Sequence, residues 1–202
     1  MDSVWAKWEG KGTTLLARTY TNEYFIKARE VEIWNEKTCI YNNIIYPKTG
    51  SNLPCFGMDL MGFNENRVII VFDFQHPVEN YLYEVDSLPK AEKEYRFFEM
   101  GNHFSKNIYV RYCKAEEVDD YLPMFKTYLL WYKHIIEEAQ PKGLDATETY
   151  RDFDAYMTRL DPVGGYLSGK FGKEQAEGLV NGFLFCYNNS VLGDGSTQGV
   201  TE

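Results

Sequence analysis

The stretch Leu53-Pro-Cys-Phe-Gly-Met-Asp-Leu-Met-Gly-Phe63, then Asn64-Glu-Asn-Arg67, then Val68-Ile-Ile-Val-Phe72, reads as a strand, a turn and a second strand. One acid, Asp59, stands in this apolar run beside Phe56, Met58, Leu60, Met61 and Phe63, while Gly57 and Gly62 allow close approach to the backbone. An unpaired carboxylate among such neighbours is disfavoured as the anion and tends to keep its proton at neutral pH. A carboxylic acid held neutral is a proton donor for a bound substrate. The other reading of Asp59 is an acid that satisfies a backbone amide at a bulge. Both stay open at this point.

Working outward, the first half of the chain reads as a β-meander. Strands are predicted at Thr13–Tyr20, Tyr24–Trp34, Thr38–Tyr46, Cys55–Phe63 and Arg67–Gln75, with a further one at Asn107–Cys113. Short connections between consecutive strands favour antiparallel pairing. The second half reads as helices. Glu116–Ala139 carries Val118, Leu122, Phe125, Leu129, Tyr132 and Ile136 as one apolar stripe, and its first turn holds Glu116, Glu117, Asp119 and Asp120, the sign a helix start prefers. Further helices are predicted at Thr147–Leu160 and Glu174–Phe185. Strands first and helices later predict an α+β layered domain. One domain is expected over residues 1–189, with a disordered tail at 190–202.

Composition narrows the chemistry. The chain has 202 residues and a formal charge of −9, which argues against nucleic acid as a partner. No leader and no run long enough to span a membrane is visible, so a cytoplasmic protein is expected. Cys39, Cys55, Cys113 and Cys186 are scattered, which predicts reduced, mostly buried thiols and neither a zinc nor an iron–sulfur site. His76, His103 and His134 make no metal-binding pattern, and His76, before Pro77, reads as a structural turn residue. Nucleotide loops and serine-nucleophile elbows are absent from the sequence. The 16 Tyr and 13 Phe suit a cavity for a flat conjugated ligand, and suit an ordinary core nearly as well. What is left is proton donation from carboxyls, with electrons supplied from outside.

Four segments together resemble the ferredoxin-dependent bilin reductases. They are Ile44-Ile-Tyr-Pro-Lys-Thr-Gly-Ser-Asn-Leu-Pro-Cys-Phe-Gly-Met-Asp-Leu-Met-Gly62, Val68-Ile-Ile-Val-Phe-Asp-Phe-Gln-His-Pro77, Phe97-Phe-Glu-Met-Gly-Asn-His-Phe-Ser-Lys-Asn-Ile-Tyr-Val-Arg-Tyr-Cys113, and Leu160-Asp-Pro-Val-Gly-Gly-Tyr166 with Lys170-Phe-Gly172. The resemblance runs from about Val4 to Tyr187 and is strongest to the phycoerythrobilin-forming members known from cyanophage. It implies a three-layer α/β/α sandwich with a central antiparallel β-sheet. It also implies biliverdin IXα as substrate between the sheet and the C-terminal helices, no bound cofactor, and single electrons from a reduced [2Fe–2S] ferredoxin.

By the same resemblance, Asp59 and Asp161 are the two proton donors of a four-electron reduction of biliverdin to phycoerythrobilin by way of 15,16-dihydrobiliverdin. Asn42, 17 residues ahead of Asp59, matches the asparagine of phycoerythrobilin-forming members, where phycocyanobilin-forming relatives have histidine. An amide can exchange hydrogen bonds but delivers no proton near neutral pH. The plainer reading of Asn42-Asn43 is a strand irregularity. Glu30 and Glu32 lie near in sequence and stay unassigned. Arg111 matches a contact to a substrate propionate, with Lys106 and Lys170 as weaker candidates. Docking of an acidic ferredoxin calls for a basic rim, expected from Lys106, Lys114, Lys170 and Lys173. A monomer is expected, although the resemblance also implies a further N-terminal segment before Met1 whose lack would expose apolar surface. Two rivals remain: a two-electron enzyme that stops at 15,16-dihydrobiliverdin, and a bilin carrier without turnover.

Overall fold

Seven strands follow one another in the chain and in space. They are β1 (Asp2–Gly10), β2 (Thr13–Tyr20), β3 (Phe25–Trp34), β4 (Thr38–Pro47), β5 (Cys55–Phe63), β6 (Val68–Gln75) and β7 (Tyr109–Cys113), paired antiparallel in the order β1 to β7. The structure, a computed structural model, describes residues 2–48, 53–64, 66–76, 88, 105, 108–138, 147–160 and 163–187. Asp161, Lys106, His103 and the 190–202 tail lie outside the described residues. Five predicted strands are present to within two residues at each end, and β7 starts two residues late. Strand β1 was not predicted. It is joined to β2 by Lys11-Gly12, both with positive φ (48° and 69°), the geometry a two-residue hairpin turn requires.

Helices cover both faces, so the domain is the expected three-layer sandwich. On one face Phe56, Met58, Ile70, Phe72 and Phe74 pack against Tyr128, Tyr132 and Ile135 of α1 (Leu122–Glu138). On the other, Leu15, Ala17, Val31, Ile33, Ile44 and Tyr46 meet α2 (Thr147–Leu160), α3 (Val163–Phe171) and α4 (Lys173–Leu179) through Phe153, Leu167 and Leu179, all three fully buried. Helix α3 closes on β1 so tightly that a Cβ at Gly10 would stand 2.6 Å from the Lys170 carbonyl oxygen.

Two predicted helices are interrupted. The helix predicted from Glu116 begins as a 3-10 segment, Ala115–Tyr121, and turns α only at Leu122. Pro123 supplies the reason, since it has no N–H to give the carbonyl four residues back. The last helix loosens into a π-turn at Val180–Leu184, where the Phe185 N–H reaches the Val180 carbonyl at 3.2 Å. Gly172 (φ 95°) ends α3, its N–H donating to the Ser168 carbonyl at 3.1 Å. Of the cysteines, Cys55 and Cys113 are buried, Cys186 is half-buried and Cys39 is exposed; all four are free thiols.

Asp73 on β6 is 1% exposed and anchors Ser105, whose N–H donates to Oδ2 at 2.9 Å and whose hydroxyl donates to Oδ1. Burial lifts this carboxyl to about 7, with the Ser105 bonds working against the rise. A folded-state value above the unfolded one means that stability is full below about pH 4 and is lost as pH climbs through about 7. Asp73→Asn is therefore expected to gain stability relative to the natural chain as pH rises over that range, read as the difference in urea midpoints at each pH. Equal pH slopes for the two proteins would refute this. Gly10→Ala is expected to cost about 1–3 kcal/mol of folding stability, because α3 must shift to admit the methyl group.

Candidate active site

Alternation along each strand assigns side chains to one face or the other. The register places Val31, Asn42, Asp59, Val71 and Val110 in one row across the sheet, on the face covered by α2, α3 and α4. The next row on that face holds Arg29, Ile44, Gly57 and Asp73. Met61 shares the face of Asp59, whereas Phe56, Met58 and Leu60 point to α1. The apolar run around Asp59 thus divides between two cores, and the acid stands where the large helix-covered cluster meets a smaller one of Ile69, Val71, Ile108 and Val110.

Asp59 is half-buried, and the ladders on both sides of it run without a break, which removes the bulge reading. Asn42 and Asn43 are equally regular, so the strand-irregularity reading fails too. The carboxyl is hydrogen-bonded: Asn42 Nδ2 donates to Asp59 Oδ1, and Asn42 Oδ1 accepts from Arg29 Nη1. Arg29 is 1% exposed, and its Nε donates to the Leu184 carbonyl at 2.8 Å. A charged group this deep needs partners on most of its N–H bonds. The turn at the end of the π-segment supplies one and Asn42 another.

Two further groups on this face escaped the sequence reading. Asp73 is the diagonal neighbour of Asp59 on β6, a relation that puts side chains roughly 7–8 Å apart. Gln75 lies over Gly57, where a Cβ would come within 3.0 Å of its Oε1, a buried oxygen without a hydrogen-bond partner among the described residues. Both residues sat in the apolar run Val68–His76. Their spacing of two and four from Val71 was the available signal for a shared face with Asp59.

The other expected site residues do not gather here. Arg111 pairs with Ile70, so it faces α1, and its Nε donates to the Tyr121 hydroxyl at 3.1 Å. Glu30 faces that side as well, 9% exposed, accepting from Arg18 (2.5 Å), Tyr20 (2.7 Å) and Tyr41 (2.9 Å). Burial pushes its carboxyl up, but those hydrogen bonds prevail and hold it below the ordinary value. Lys170 lies in the last turn of α3, over the Tyr166 ring, at the β1 edge of the sheet. The expected basic rim does not form among the described residues. Lys114 follows β7 and pairs with Glu116, while Lys173 pairs with Glu177 on α4 near the opposite edge. Six strand spacings, on the order of 28 Å, separate the two edges.

Among the described residues no cluster of His, Cys, Asp and Glu could hold a metal ion, and no helix is long and apolar enough to cross a membrane. The face carrying Asp59 offers two acids, two amides and a buried guanidinium among apolar side chains. Of that set, the carboxyls are the groups whose chemistry allows a proton to be given up.

Comparison with known proteins shows the family to which the chain belongs. Residues 1–186 match the family model described as ferredoxin-dependent bilin reductase. The chain is 29% identical over 195 residues to the 15,16-dihydrobiliverdin:ferredoxin oxidoreductase of Gloeobacter violaceus, covering 87% of this chain and 80% of that one. It is 31% identical over 187 residues to the phycoerythrobilin:ferredoxin oxidoreductase of Prochlorococcus marinus strain MIT 9215, covering 78% and 71%. Among solved structures, phytochromobilin synthase from tomato in complex with biliverdin superposes with a TM-score of 0.73 at 16% identity, over 92% of this chain and 76% of the other. That last likeness is one of fold. With a family model spanning all but the last residues, the chain belongs to the ferredoxin-dependent bilin reductases.

Proposed function

We propose that this protein reduces biliverdin IXα by four electrons to phycoerythrobilin, through 15,16-dihydrobiliverdin, with reduced [2Fe–2S] ferredoxin as the electron source. The observation that carries the reading is Asp59, a half-buried acid on the helix-covered face, hydrogen-bonded to an asparagine. Each of the two reductions adds two electrons, one at a time, and two protons across a conjugated double bond of the pigment. Asp59 gives a proton at the 15,16 methine bridge, after an electron from ferredoxin has made the pigment a radical and raised its basicity. Asp161 serves the second reduction, at the A-ring diene system. Asn42 binds and orients without delivering a proton, which favours a phycoerythrobilin product over phycocyanobilin.

The apolar walls formed by Met61, Val71 and Val110 keep water from a radical intermediate, and water exclusion strengthens each polar contact made inside. Similar identity to relatives named for the dihydrobiliverdin step and for the phycoerythrobilin step agrees with a chain that carries out both. The first of those relatives also motivates the second reading, a two-electron enzyme that halts at 15,16-dihydrobiliverdin.

An anaerobic assay with biliverdin, ferredoxin, its reductase and NADPH separates the readings by chromatography of the products. Phycoerythrobilin is the expected end product; dihydrobiliverdin as the sole end product would select the two-electron reading, and binding without reduction a carrier. Asp59→Asn is expected to bind the pigment but to lose roughly 100-fold or more in rate, the range for removal of a positioned general acid. Asp161→Asn is expected to accumulate 15,16-dihydrobiliverdin. A normal phycoerythrobilin yield from that variant would overturn the role given to Asp161.

A further inference from the structure

Strand β5 presents Cys55, Gly57 and Asp59 to the face covered by α2, α3 and α4, and Gly57 brings no side chain to it. Gln75, the last residue of β6, stands opposite Cys55 and leans diagonally across this gap. The three heavy atoms nearest to a Cβ built on Gly57 all belong to the Gln75 amide: Oε1 at 3.0 Å, Cδ at 3.2 Å and Nε2 at 3.6 Å. The amide therefore rests on Gly57, two residues and roughly 7 Å along β5 from the position of Asp59.

Gln75 is 6% exposed, and its Oε1 is buried with no hydrogen-bond partner among the described residues. An amide oxygen so placed has lost water and gained no donor, which works against folding. Buried polar atoms of this kind are rare, and each calls for a cause. The groups beside it on the sheet supply no strong donor. Asp73 holds both carboxyl oxygens toward Ser105, the Tyr46 hydroxyl donates to Asp154 at 2.8 Å, Ile44 is apolar, and Cys55 has only a weakly donating S–H.

We propose that Gln75 is a substrate-binding residue: its Oε1 accepts a hydrogen bond from a ring N–H of a linear tetrapyrrole and so fixes how far the pigment lies along β5 relative to Asp59. The inference rests on the reading of this face as the site of a bilin substrate. The lactam carbonyls and ionised propionates of biliverdin only accept, so its ring N–H groups are what it can offer to an accepting oxygen. A contact two residues along the strand from the proposed proton donor sets the register in which a pigment carbon meets that acid, and such register is what proton transfer depends on.

The test is equilibrium titration of the pigment-free protein with biliverdin, in the absence of ferredoxin, together with thermal melting of the same samples. Gln75→Leu, similar in volume and unable to hydrogen-bond, is expected to weaken binding roughly tenfold. Its pigment-free form is expected to melt at the same temperature as the natural chain or higher, because the orphaned oxygen is gone. Gln75→Glu keeps an accepting oxygen whether or not its carboxyl is protonated, and should recover most of the affinity. Gly57→Ala leaves Gln75 in place but puts a methyl group where its amide rests, so it should weaken binding as Gln75→Leu does; it decides the matter should Gln75→Leu fail to fold. With 15N-labelled biliverdin, one ring N–H proton resonance should move upfield in the weakened variant.

Unchanged affinity and unchanged N–H resonances would overturn the inference. A purely structural Gln75, or one whose oxygen is met by a buried water, would show itself as a lower melting temperature in Gln75→Leu with pigment binding intact. Affinity in Gln75→Glu as low as in Gln75→Leu would overturn the accepting role. A natural chain that binds biliverdin through Gln75 and never reduces it would remove the proposed function and leave this inference standing, whereas normal turnover with no effect of Gln75→Leu would do the reverse.

Discussion

Two cations buried under the end of a helix tie the sheet to its C-terminal layer. Arg29 and Lys27, on the same face of β3, are 1% and 6% exposed, and both donate to carbonyls at the end of the π-turn and just beyond it: Leu184 for Arg29, Phe183 and Cys186 for Lys27. Burial, then the charge of Arg29, lowers Lys27 to about 8. Isolated cations at this depth would be strongly unfavourable. The free carbonyls at a helix C-terminus carry partial negative charge, and Asp154 adds a carboxylate nearby. The widened π-turn brings those carbonyls down onto the strand.

How much of this was legible in the sequence depended on what each feature requires. Interior strands such as β5 and β6 announce themselves, because a segment buried on both faces is apolar at nearly every position. Strand β1 has one neighbour and mixed polarity, so its pattern is weak. The break before α1 could have been read from Pro123. The π-turn could not, and the contact between it and Arg29 on β3 spans 155 residues of chain.

Asp59 was visible from residue type and neighbours and Asn42 from the family resemblance, while the face of Arg111 was not legible, for a physical reason. The parity of a strand decides its face, and parity passes reliably from one strand to the next only across a short turn. Asn64–Arg67 carries it from β5 to β6. The long connection between β6 and β7 does not, so nothing in the sequence put Arg111 with Asp59 or against it. Arg29 was hidden differently: a charged residue between Ala28 and Glu30 looks like a solvated position until the sheet acquires its second layer.

The order of the layers along the chain also governs how the protein is made. Strands β2 to β4 are complete by Pro47, but α2, the first helix that covers their apolar face, begins at Thr147, about 100 residues later. At ribosomal rates of roughly 5–20 residues per second, that face waits some 5–20 s for its cover. A nascent meander bearing Leu15, Ala17, Val31 and Ile33 is then a sheet with one greasy side and two cations, Lys27 and Arg29, whose carbonyl partners at 183–186 are not yet made. Chaperone occupancy and translation speed over the middle of the message, rather than the stability of the finished domain, would set the yield of active protein.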